Sequence, residues 1–283
     1  MIVDVASVAA RTLMLCAMLQ ACGIVLFLGA FGGRLSSSRA RLLRTGVLST
    51  AVALASLVCF YVLEAGRMAG EFAGVLDLEL LGMVAESGAV PAVVRVLGLS
   101  AVLFGFVTGH VRVYGIPGAV LVALSFALTG HTVEAAPRAS AGALVALHVL
   151  LAAAWLGALP SLYALSRSEP PRAVADVVAR FSAVAAWTVP PIALAGLALA
   201  WQLGLRASSL GQPYAQLLLA KALTFAALML LAALNKWRYG PRLASGAPDA
   251  GRKFRRTVIV EYVLITGVLA LTATLTTFHS PSG

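Results

Sequence analysis

The chain has 283 residues, of which 60% are hydrophobic and 11% charged, with a mean hydropathy of +0.94. A soluble domain carries about 25% charged residues, so this balance excludes one. The net charge of +10 calls for no nucleic-acid partner, because basic residues that sort to one side of a bilayer, next to anionic lipid, account for it.

A helix that crosses a bilayer needs about 20 apolar residues. Eight such runs are predicted, at roughly 6–30, 45–64, 90–112, 116–133, 141–165, 182–204, 214–235 and 257–279. The expected fold is all-α: a polytopic membrane protein, a bundle of about eight transmembrane helices with both termini periplasmic. Residues 1–135 form a four-span N-terminal half and 136–283 a four-span C-terminal half, within one integral membrane unit.

The first run is read as a span and not as a cleaved signal. Asp4 precedes Arg11, the apolar stretch is longer than a signal core, and no small-x-small site ends it. Met14, Met18 and Cys22 recur every four residues and share one helical stripe. Cys59 in the second span lies at an outer depth similar to Met14. Thioether and thiolate select Cu(I), which makes these four a possible soft-ligand path; the same residues are also ordinary apolar fillers. Cys16, Cys22 and Cys59 are an odd set within spans and make no disulfide framework.

The connection 32–44 carries four arginines. The outer connection 65–89 holds Glu71, Asp77, Glu79 and Glu86 among leucines, and suggests a short element at the membrane surface. Glu64 and Arg95 both lie near the outer face, where they are placed to pair. His110 sits near the inner end of the third span, at a possible inner exit, and His131 near the outer end of the fourth. His148 is about seven residues into the fifth span, roughly 10 Å deep. Pro190 and Pro191 fall inside the sixth span and predict a kink. Lys221 is about as deep in the seventh span as His148 is in the fifth. The basic connection 236–256 reads as a solvated loop. Glu261 lies one turn inside the inner end of the eighth span, either facing nearby arginines or carrying protons, and His279 ends that span outside.

Fifteen of the 21 lysines and arginines fall in alternate connections. By the positive-inside rule that side is cytoplasmic. Three histidines on three helices then fall in the outer third of the membrane. Neutral imidazole binds copper, zinc, iron or nickel. His131, His148 and His279 are therefore candidate metal ligands, with hydrogen-bonded packing histidines as the alternative. Lys221 must snorkel outward, pair with a carboxylate or lose its proton; beside a bound cation it is repulsive. Lys221 and Glu261 are candidate charge-coupling groups. No nucleophile–base constellation and no phosphate loop points to a hydrolase or NTPase, so the chain is not read as an enzyme.

One stretch runs His148-Val-Leu-Leu-Ala-Ala-Ala-Trp155-Leu-Gly-Ala-Leu-Pro160. Further on come Arg180-Phe181-Ser182, Pro213-Tyr214, Leu217-Leu-Leu-Ala-Lys221, Asn235-Lys-Trp-Arg and Pro241-Arg-Leu. With Gly130-His131 and Glu261, these segments resemble the copper resistance protein D (CopD) family over about residues 130–280. Ala215, where the family pattern has glycine, and the Pro190-Pro191 pair depart from it. The first four spans match by layout only. The resemblance implies a bacterial inner (cytoplasmic) membrane protein of copper homeostasis that moves copper from the periplasm toward the cytoplasm, beside a periplasmic CopC-type copper-binding protein. Two other readings stand beside it. One is a haem b or electron-transfer protein with His131 and His148 as axial ligands. The other is an assembly factor that delivers copper without net transport.

Overall fold

The computed structural model describes residues 2–129, 138–202 and 213–278. All its regular elements are helical, with no strand among the described residues. The long helices are α1 (Ile2–Phe31), α2 (Arg39–Ala69), α3 (Leu78–Thr108), α4 (Ile116–Ser125), α5 (Arg138–Ser168), α6 (Pro171–Gln202) and α7 (Pro213–Leu234); the short α8 (Gly240–Ala244) and the long α9 (Ala250–Phe278) follow. A π turn at Val111–Gly115 and a 3-10 turn at Phe126–Leu128 extend α4 to the length of a span. Among the described residues, eight helical segments are long and apolar enough to cross a membrane. The chain is a multi-pass membrane protein.

Local chemistry sets several boundaries. Asp77 caps α3, its carboxylate accepting from the amides of Glu79 (2.9 Å) and Leu80 (3.2 Å). Gly109 ends α3 in the left-handed region at φ +74°. The connection between α2 and α3 contains a 3-10 turn at Phe72–Leu76. The basic connection 236–256 differs from the expected loop. A π turn at Asn235–Tyr239 continues α7, α8 follows, and α9 starts at Ala250, seven residues before the apolar run. Apolar content marks where a helix meets lipid, not where its backbone hydrogen bonds stop. Pro190 and Pro191 do not end α6, which is continuous through them.

The centre of the bundle is α1. In its most apolar stretch 72% of residues are buried, against 6% for α6 and for α7. It packs on α2, α4, α5 and α9, so both halves of the chain share one core. Met14, Met18, Cys22, Ile24 and Val25 lie in it with Leu99, Val102, Leu156 and Leu159. The α1–α5 crossing is a backbone contact: a Cβ on Gly23 would strike the Ala153 carbonyl, and one on Gly157 would strike Gly23 itself. Small residues are what let membrane helices approach this closely.

The two ends of the bundle differ. At one, Arg112 Nε donates to the Gly29 carbonyl (2.8 Å), Arg39 to Gly109 (3.2 Å) and Arg255 to Ser166 (3.3 Å). Glu169 accepts from Ser36 Oγ (2.6 Å), Ser37 N (2.7 Å), Ser38 N (2.8 Å) and Ser38 Oγ (2.8 Å). At the other, Arg67 binds Glu64 (2.8 Å), Asp4 (3.6 Å) and the Thr277 carbonyl (3.1 Å), which gathers the starts of α1 and the ends of α2 and α9. The expected Glu64–Arg95 pair is therefore corrected. Glu64 is taken by Arg67 and Ser7, while buried Arg95 donates to Ser125 Oγ (3.1 Å) and lies over the Phe126 ring.

Candidate functional site

His148 is carried by α5 on the face turned toward α6. Its Nδ1 lies 3.1 Å from the Ile192 carbonyl oxygen. A carbonyl only accepts, so Nδ1 carries the hydrogen and donates, and the lone pair stays on Nε2. That is the arrangement of metal-binding histidines, whose second nitrogen is tied to a carbonyl or carboxylate. A Cβ at position 196 would lie 3.6 Å from His148 Cε1, so Gly196 leaves room beside the ring. Lys221 on α7 is half-buried and close enough for its charge to act on the His148 ring. It has no ion-pair partner among the described residues. Three helices thus bring an oriented imidazole and an ammonium group together at one depth.

Two turns further along α5, Trp155 meets Phe225 of α7 edge to face, with ring centroids 6.1 Å apart. Beyond this pair lies a cavity of about 240 Å³ bordered by α5, α6, α7 and α9. Trp155, Phe181, Met229, Phe254 and Val258 make its apolar wall, and Asn235, Lys236 and Glu261 its polar part. Glu261 is 3% exposed. Its Oε1 accepts from Asn235 Nδ2 at 2.5 Å, and Asn235 Oδ1 accepts from Thr257 Oγ at 2.5 Å. No arginine pairs with it among the described residues, so the facing-arginine reading of Glu261 is replaced by an amide. A larger cavity of about 350 Å³ lies between α2 and α3 around Tyr61, Val84 and Ala92, without a charged side chain in its wall.

The remaining candidates scatter. His131 and His279 lie outside the described residues. His110 is exposed between α3 and α4, 6.5 Å from the Tyr114 ring centroid. Met14, Met18 and Cys22 are buried in the tightest part of the core, whereas Cys59 is exposed on α2. Among the described residues no group of three or more His, Cys, Asp or Glu side chains is gathered as a metal cage.

Some polar groups escaped the sequence reading. Gln20 bridges α2 and α9 within the core, donating to Ser49 Oγ (2.7 Å) and accepting from Tyr262 OH (2.6 Å). Its signal was present, since a glutamine within a span is costly. Thr257 gave none, because threonine is common in membrane helices and its partner is distant in sequence.

Residues 175–275 match the family model of copper resistance protein D. The matched region holds Lys221, Asn235, Thr257 and Glu261; the His148–Trp155 segment precedes it. No curated protein and no solved structure matches the chain.

Proposed function

We propose that this protein carries copper across the bacterial inner membrane, from the periplasm toward the arginine-rich cytoplasmic side, with His148 in the outer binding site. The observation that carries the reading is the tautomer of His148: the Ile192 carbonyl holds Nδ1–H and leaves Nε2 as a ligand. The match of residues 175–275 to copper resistance protein D supplies the metal. His131 and His279 complete the site in this reading, both termini face the periplasm, and a CopC-type protein delivers the ion. Met14, Met18, Cys22 and Cys59 offer soft ligands along the way, and His110 sits at the inner exit.

Lys221 gives the outer site a way to release its cargo. An ammonium group beside the imidazole repels a bound cation, and the empty site keeps a positive charge of its own. Binding is thereby held loose enough for the ion to move on.

Replacing His148 with alanine is expected to lower bound copper and copper uptake into proteoliposomes together, by tenfold or more. A correctly inserted His148→Ala protein that binds and transports like the parent would remove His148 from the site. A Soret band in the purified protein would favour the haem reading instead, and metal binding without uptake would favour an assembly factor.

A further inference from the structure

We infer that the cavity floored by Glu261 is a second, inner binding site for a monovalent metal cation, separated from the outer site by the Trp155–Phe225 pair; this rests on the copper reading above. The geometry starts from the carboxylate. Glu261 is 3% exposed and lies in an otherwise apolar wall. One oxygen accepts from Asn235 Nδ2, and Asn235 Oδ1 lies 2.5 Å from Thr257 Oγ1. The second oxygen accepts from no described residue, and the side chain lines the cavity. A buried carboxylate without a counter-ion is costly, and a cation entering the cavity removes that cost.

The surroundings suit a weakly hydrated ion of single charge. Trp155, Phe181 and Phe254 line the cavity, and aromatic faces attract a cation once water is excluded. The volume of about 240 Å³ takes an ion with a few waters, each of about 30 Å³. A dication would leave net charge uncompensated beside one carboxylate. Lys236 borders the same cavity and is exposed, at the end where the arginines gather. It offers Glu261 a replacement counter-ion when the cation leaves. His148 lies seven residues, about 10 Å, from Trp155 along α5, and Trp155 both roofs the cavity and meets Phe225. The pair therefore lies between the two sites along α5.

The test is metal counting on the purified full-length protein in detergent, dialysed against Cu(I) held reduced. The parent is expected to bind two ions. Glu261→Gln keeps the acceptor for Asn235 and removes the charge; it should lose one ion and keep the one that His148→Ala removes. Ala185→Phe fills the cavity without touching the carboxylate and should also lose one, which decides the matter if Glu261→Gln does not fold. A parent that binds one ion, lost in His148→Ala and retained in both inner variants, leaves the outer site standing and overturns the inner one. Full metal content in Glu261→Gln with transport lost would make Glu261 a proton carrier and equally overturn the inner site. No bound ion in the parent overturns both readings.

Discussion

Lys221 is where a single charge has most to do. A mid-membrane lysine costs upward of ~2.5 kcal/mol, and a structural role would have it snorkel to the headgroups. In the folded chain it is half-buried near the His148 ring and has no ion-pair partner among the described residues. Lys221→Met keeps the length and removes the charge. It should insert and fold normally, bind copper about tenfold more tightly, roughly 1.4 kcal/mol by the usual conversion, and transport it more slowly because release is lost. Unchanged binding and unchanged uptake would return Lys221 to snorkelling. Both residues were legible as costly polar groups at matching depth. What the sequence could not supply was their convergence, nor the amide that holds Glu261. Asn235 and Glu261 are 26 positions apart, and only the packing of α7 on α9 joins them.

Among the elements, spans were easy to find and their contacts were not. Hydrophobicity locates a helix within lipid, but lipid is as apolar as leucine, so it says nothing about which helices touch. The close α1–α5 crossing depends on Gly23 and Gly157, two glycines among 26. Gly157→Val forces a side chain into the α1 backbone and should destabilise the detergent-solubilised protein by about 1–3 kcal/mol, read as a lower melting temperature. Gly33→Val, where a Cβ would meet nothing within 4 Å, is the control and should leave it unchanged. At the arginine-rich end, Glu169 ties the segment before α2 to the α5–α6 turn. Its burial alone would raise the carboxyl, but donors from Ser36, Ser38 and Ser37 outweigh that and hold it at about 2, below the ordinary 4.5. A depressed carboxylate contributes stability above its unfolded value and loses it as pH falls through the folded one. Glu169→Gln should therefore melt lower than the parent at neutral pH, by the equivalent of about 1–3 kcal/mol. The gap should stay constant above about pH 5 and close as pH falls from 4.5 toward 2. A gap independent of pH would mean that shape, not charge, makes the tie.

For the whole molecule, orientation follows from charge and number together. Eight spans among the described residues put the start of α1 and the end of α9 at one end of the bundle, where Arg67 joins Asp4 to the Thr277 carbonyl. The opposite end gathers the turns that carry fifteen of the 21 basic residues. Positive residues resist translocation, so that end is expected in the cytoplasm. Ser38 is fully buried beneath Glu169, so a labelling probe belongs elsewhere. Gly33 and Ser245 are exposed at the basic end, and Gly82 is exposed in the outer connection. In a protein freed of Cys16, Cys22 and Cys59, single cysteines at these positions should divide cleanly. Gly82→Cys should react with a membrane-impermeant maleimide added to intact spheroplasts, whereas Gly33→Cys and Ser245→Cys should react only after the membrane is opened. Labelling of Gly33→Cys from outside would invert the molecule. It would also put His148 near the cytoplasmic face and Glu261 toward the periplasm, so the same two sites would then describe export.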